Sequence, residues 1–431
     1  MLLDGRPETI FALYAFLLAG VLAWTLVPLT EKLAWRIGAI DHPRERSLHV
    51  VPTPKLGGLA ILVGVLVAGA LFLPTVAQTR AILGGAAAIA ALGVLDDVFE
   101  LGAAPKLAGQ VLAASIPVFN GVRLAGFTLP FFGAVDPSTV DLFELPLFNQ
   151  QVDLGHLLTI VGIVAVINVI NFIDGVDGLA AGVCVISATT LAAIALSLDR
   201  NSAAVLAACT AGGALGFLRH GFPPASSFMG DTGSNLLGYL LATVALQGAL
   251  KTNAVVALFF PLLVLAVPIL DTGFVVAKRV KYRTPIYRAD RWHFHHRMAN
   301  IGFSQRKTLA YMYAWTAMMA GLALALRFVP YSDDHGNFDA FWTIVLLACF
   351  ALVLAASFYL VVTLEILKLR RSWLRRLAGV PAGDGIGPEE VDEGVVRELE
   401  TGSFEVVDPR TGEYAAVDAE TGEFEAVPGP E

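Results

Sequence analysis

"HLLTIVGIVAVINVINFIDGVDGLAAG", residues 156–182, decides the architecture. Residues 156–173 are almost wholly apolar, and a helix crossing the hydrocarbon core of a bilayer needs about 20 such residues. The run ends in Asn171, Asp174 and Asp177, spaced by three so that they share one face of a helical turn, while Gly175 and Gly178 thin the backbone. Acids at the end of an apolar helix are costly and usually mark function. Such a face can hold a Mg²⁺ complex or a polar nucleotide; the alternative is a purely structural helix end.

Further apolar runs flank this one, near 10–30, 57–76, 79–95, 106–120, 179–198, 203–219, 234–250, 254–277, 308–328 and 341–367. The chain has 431 residues, 56% apolar and only 15% charged, which excludes an ordinary soluble domain. An all-α polytopic membrane protein with about eleven transmembrane helices is expected. No cleavable signal peptide is expected, because the first run is long enough to span.

Lysine and arginine gather in cytoplasmic loops. With the N-terminus outside and the C-terminus in the cytoplasm, 21 of the 29 basic residues fall inside and six outside; the other two are Arg397 and Arg410. That orientation is therefore expected.

The net charge of −8 divides unevenly. Residues 377–431 hold 15 acids and two basic groups, and their Thr-Gly steps recur every ten residues at 401, 411 and 421. This acidic, repetitive stretch reads as a disordered cytoplasmic tail, a solubilising appendage or a docking site for a cytoplasmic partner. The transmembrane catalytic domain, 1–376, carries 27 basic and 22 acidic residues. It suits anionic small molecules, and no nucleic-acid partner is expected. Cys184, Cys209 and Cys349 lie in apolar runs without motif spacing and read as small core residues.

Five inter-helix segments converge on the cytoplasmic side. "DHPRERSLHVVPTPKLGGLAI", 41–61, is a basic loop ending in a Gly-Gly pair where backbone N–H groups can approach an anion; topology alone also explains a basic loop. In "GVLDDVFELGAAPKLAGQ", 93–110, Asp96 and Asp97 repel unless a cation lies between them or one keeps its proton. The alternative is two solvated residues at a loop. In "SSFMGDTGSNLLGYLLA", 226–242, Asp231 stands between two glycines with Thr232, Ser234 and Asn235 adjacent; helix capping explains one of these but not the cluster beside Phe228. "RADRWHFHHRMANIGFSQRK", 288–307, carries His293, His295 and His296 among arginines. The spacing matches no common zinc site, and imidazoles beside guanidinium groups suit a phosphate. Asp271 is an acid near the inner end of an apolar helix containing Pro261 and Pro268, and a bent helix there can border a groove for lipid. Carboxylates, Mg²⁺ and cationic donors on one face form the equipment of phosphoryl transfer.

In order and spacing, "LDDVFELGAAPKLAGQ", "NFIDGVDGLAAG", "FMGDTGSNLLG" and "DRWHFHHRMANIGFSQRK" resemble the polyprenyl-phosphate N-acetylhexosamine-1-phosphate transferases, over residues 41 to about 367. The resemblance implies transfer of a sugar-1-phosphate from a UDP-sugar to a polyprenyl phosphate (undecaprenyl or decaprenyl), with Mg²⁺, or Mn²⁺ in its place, and release of UMP. The His-Phe-His-His pattern and the basic 41–58 loop are similar to the branch that uses UDP-GlcNAc to start a cell-envelope glycan such as lipopolysaccharide, teichoic acid or arabinogalactan. The phospho-MurNAc-pentapeptide transferases of peptidoglycan synthesis are the alternative, and an ion-coupled secondary transporter is the remote one. Carried over residue by residue, Asp96, Asp97 and Asp231 are the implied catalytic acids, with Asp231 and Asp97 on the metal. Lys55, Lys106, Asn171, Asp174, Asp177, Phe228, His293, His295 and His296 are the implied substrate contacts, Phe228 stacking on uracil. A homodimer is a further expectation.

Overall fold

The computed structural model describes residues 7–42, 51–124, 127–129, 133–145, 150–249, 256–281, 294, 298, 303–331, 338–377 and three short segments at 405–407, 414–417 and 424–425. The chain divides into two units, Met1–Leu364 and Glu365–Glu431.

The first unit is helical. In chain order it holds α1 (Pro7–Ile37), α2 (Gly57–Phe72), α3 (Ala77–Phe99), α4 (Ala103–Val118), α5 (Leu154–Ile173), α6 (Leu179–Ser197), α7 (Asn201–Gly221), α8 (Gly230–Ala249), α9 (Val256–Val264), α10 (Ala266–Lys281), α11 (Gln305–Phe328) and most of α12 (Ala340–Leu377). Seven helices of the described residues are long and apolar enough to cross a membrane. The chain is thus a multi-pass, mainly α-helical membrane protein. Each expected run coincides with a helix except 254–277, which is two. Pro268 has no N–H to offer the carbonyl four residues back, so the helix breaks at Leu265. The Val264 carbonyl accepts from the Ser187 hydroxyl instead, at 3.4 Å, as a polar backbone atom in a membrane interior requires.

α8 is the axis of the bundle: it touches α2, α3, α5, α6, α7 and α9, and residues 232–244 are buried without interruption. α1 packs along α7 through small residues, and a Cβ on Gly212 would lie 2.0 Å from the Phe16 carbonyl oxygen. Such backbone contact is how helices associate where lipid removes the hydrophobic drive.

Short strands close the loops. β1 (Ile40–Asp41) pairs antiparallel with β2 (Thr53–Pro54), joining the ends of the basic loop. At the other end of the bundle, β3 (Phe127–Leu129) pairs with β4 (Gly133–Val135), and β5 (Asp141–Leu145) with β6 (Gln150–Asp153). Asp153 then caps α5, accepting from the His156 N–H at 3.0 Å and pairing with Arg123 at 2.6 Å.

In the second unit, β7 (Glu405–Val407), β8 (Tyr414–Val417) and β9 (Phe424–Glu425) form an antiparallel sheet in sequence order. Each ten-residue repeat thus supplies one strand.

Candidate active site

Four helix ends and one loop meet at one end of the bundle. The first turn of α8 is the centre, because Asp97, at the end of α3, spends both carboxylate oxygens on it. Oδ1 accepts the Asp231 N–H at 2.9 Å, and Oδ2 accepts the Thr232 N–H at 3.0 Å and its hydroxyl at 2.7 Å. A carboxylate is well matched to the free N–H groups and positive dipole end of a helix. The close approach depends on Gly93, where a Cβ would lie 2.4 Å from the Thr232 Cα. Asp97, expected as a metal ligand, is thus also a cap supplied by a neighbouring helix.

Asp96 turns the other way. Its Oδ1 accepts the Leu101 N–H at 2.8 Å and holds the α3–α4 turn, and its Oδ2 lies 2.8 Å from Lys106 Nζ. Lys106, at the start of α4, reaches Asp231 Oδ1 at the same 2.8 Å. That oxygen also accepts from the Asn171 amide, which donates to the Ser234 hydroxyl at 2.8 Å. One ammonium and one amide thus tie α3, α4, α5 and α8 together around Asp231.

The neighbouring loops are fixed by backbone pairing. Phe228 N–H donates to the Pro54 carbonyl at 2.8 Å and its own carbonyl accepts from Gly57 N–H at 2.9 Å, so residues 54–58 and 228–229 hold each other. Together these segments enclose a cavity of about 410 Å³. Asp41, Asp97, Asp174, Asp177 and Asp231 line it with Lys55, Asn171, Ser234 and Phe228. Asp174, in the α5–α6 loop, is pushed well above the usual carboxylate range by burial and then by the charges of Asp231, Asp97 and Asp177.

Of the expected site residues, Lys55, Asp97, Asn171, Asp174, Asp177, Phe228 and Asp231 line this one cavity. Lys106 joins it through its ion pair with Asp231, and Asp96 through its own ion pair with Lys106. His293, His295 and His296 lie outside the described residues. Between them Phe294 is buried, its N–H donating to Asp271 at 2.6 Å and its ring 5.5 Å from Phe274 and 5.7 Å from Trp315. Asp271 is itself 1% exposed and anchors this residue. Asp41 was missed by sequence reasoning; the available signal was an acid opening an otherwise basic loop.

Among the described residues, no three His, Cys, Asp or Glu side chains are arranged to hold a metal. Mg²⁺ does not need such a cage, since it commonly binds one or two carboxylates together with substrate phosphates. A cavity lined by five aspartates has the charge excess that a divalent cation relieves. The residues fit Mg²⁺ in that shared form.

Residues 79–249 match the model of glycosyl transferase family 4. A probable undecaprenyl-phosphate N-acetylglucosaminyl 1-phosphate transferase of Bacillus subtilis is 36% identical over 331 residues, 76% of this chain and 87% of the relative. The chain belongs to this family. The decaprenyl-phosphate N-acetylglucosaminephosphotransferase of Mycobacterium leprae is 36% identical over 343 residues, 73% of this chain and 83% of that one. A phospho-N-acetylmuramoyl-pentapeptide-transferase of Desulforamulus reducens is 31% identical over 316 residues, 68% of this chain and 88% of the relative. As a family 4 member the chain is a membrane phosphotransferase, which decides against the transporter. The matched segment contains Asp96, Asp97, Lys106, Asn171, Asp174, Asp177, Phe228 and Asp231.

Proposed function

We propose that this phosphotransferase moves GlcNAc-1-phosphate from UDP-GlcNAc to a polyprenyl phosphate at the cytoplasmic face of a bacterial plasma membrane. The observation that carries the reading is the single cavity in which Asp231, Asn171, Asp174, Asp177, Lys55 and Phe228 meet beside the first turn of α8. An oxygen of the lipid phosphate attacks the sugar-bearing phosphorus of the donor. The phosphoanhydride to UMP breaks as the new one forms, so the reaction is reversible without a further energy source.

Mg²⁺ neutralises the diphosphate charge when bound. Asp231, with Asp174 close by, is the residue assigned to hold it. Asp97 is assigned to the helix cap, where N–H and O–H donors use three of the roughly four lone-pair positions of its carboxylate. Asp96 and Lys106 are assigned to the polyprenyl phosphate: Lys106 attracts its charge and Asp96 orients it. Phe228 stacks on uracil, and Lys55 with the three histidines holds phosphate or sugar.

GlcNAc is favoured over MurNAc-pentapeptide because relatives named for N-acetylglucosamine transfer are 36% identical, against 30–32% for relatives named for the muramoyl pentapeptide. The test is a donor comparison. Purified protein with Mg²⁺ and undecaprenyl phosphate should release UMP from UDP-GlcNAc at least about tenfold faster than from UDP-MurNAc-pentapeptide or UDP-GalNAc, a margin within what pocket contacts provide. Preference for the pentapeptide donor overturns the assignment of sugar, and no UMP from any donor overturns the reaction.

A further inference from the structure

Three polar contacts close a ring around the loops that line the cavity. On α11, the Tyr313 hydroxyl donates to the Gly178 carbonyl at 2.6 Å. One residue earlier in that loop, Asp177 accepts the Ala225 N–H through Oδ2 at 3.1 Å, joining the α5–α6 loop to the α7–α8 loop. Back on α11, Arg306 Nη2 donates to the Pro223 carbonyl at 3.3 Å. Arg306 and Tyr313 are seven positions apart, two helical turns, and therefore share a face.

Neither residue lines the cavity, and both grip loops that do: one carries Asp174 and Asp177, the other leads into Phe228 and Met229. The Tyr313 ring is seated in a notch of α6, where a Cβ on Gly182 would lie 2.2 Å from its hydroxyl oxygen. Carbonyls held by donors from another helix keep a loop in one arrangement, and a preorganised loop gives up less freedom when a ligand binds.

We propose that α11 is a brace for the nucleotide-binding part of the cavity, with Tyr313 and Arg306 as positioning residues that set the spacing between the Asp177 loop and the Phe228 loop. The inference rests on the nucleotide reading above and deepens it: these two side chains govern affinity for the uridine nucleotide without touching it. Nothing in the ring involves Lys106 or Asp96, so the lipid acceptor should not register its loss.

The experiment uses the full chain in detergent with UMP as the probe, measured by titration calorimetry, together with donor and acceptor kinetics. Tyr313→Phe removes only the hydroxyl, and Arg306→Met removes a donor from an exposed residue that the core does not depend on. Each should weaken UMP binding by roughly three- to tenfold, the loss expected for one hydrogen bond. The donor KM should rise by the same factor, while kcat and the polyprenyl phosphate KM stay within about twofold and Arg306→Lys restores most of the affinity. Unchanged UMP affinity in folded variants overturns the brace, and so does an equal rise in the acceptor KM, which would mean general loosening. Should Tyr313→Phe unfold, the Arg306 pair decides. A wild-type chain that binds no UMP overturns the nucleotide reading itself, whereas wild-type binding with unaltered variants overturns the brace alone.

Discussion

Asp96 and Asp97 are adjacent in sequence and face different partners. Asp97→Asn would turn an amide NH₂ toward N–H donors of α8, so at least one of three hydrogen bonds fails. The expected cost is about 2–3 kcal/mol of unfolding free energy. Activity should fall while the Mg²⁺ concentration for half-maximal rate stays within about twofold; a metal ligand would shift that concentration and be rescued by more Mg²⁺. Asp174 gives a pH signature. Its folded-state pKa is raised by burial and by Asp231, Asp97 and Asp177, so its proton favours the folded state at low pH, and that contribution is lost as pH rises through the elevated value. Thermal unfolding without divalent cation should therefore show stability declining as pH is raised from about 4, and Asp174→Asn should flatten the decline. The sequence made Asp174 and Asp97 equally visible as acids beside helices. It could not show which was a cap, because the donors to Asp97 lie 134 and 135 positions further along the chain.

α8 shows the same limit at the level of an element. Its polar start, "GDTGSN", marks it as unusual in sequence, but its place at the centre of six helices is a property of packing. The glycine of α3 that admits it looks like any other small residue in an apolar run. Gly93→Ala puts a methyl group 2.4 Å from the Thr232 Cα, so one helix must move. Overpacking of this kind costs about 1–3 kcal/mol, and displacement of the Asp231 turn should lower the transfer rate more than tenfold, read in the UMP-release assay beside a thermal melt. The α9–α10 break was partly legible. Pro261 and Pro268 signal a bend, but hydropathy alone runs 254–277 together, since Leu265 is as apolar as its neighbours. What resolves it is the Ser187 hydroxyl on another helix.

For the whole molecule, hydropathy was the dependable guide. An apolar run has one way to satisfy its backbone in lipid, and helices lie at every expected run. The acidic repeats carry no such constraint, and their strand pairing could not be foreseen from charge and composition. The described residues lining the cavity fall between Asp41 and Ser234, and the three histidines also precede Leu377, so a chain ending at Leu377 should keep the wild-type rate of UMP release within about twofold, measured on equal amounts of purified protein. The proposed reaction is a reversible exchange of phosphoanhydrides at the Asp231 cavity. The direct measurement is isotope exchange: purified protein is incubated with polyprenyl-diphosphate-GlcNAc and labelled UMP, with and without Mg²⁺. Label appearing in UDP-GlcNAc only with Mg²⁺, and lost in Asp231→Asn, is the predicted result; no exchange in the wild-type protein, or equal exchange in Asp231→Asn, would contradict it.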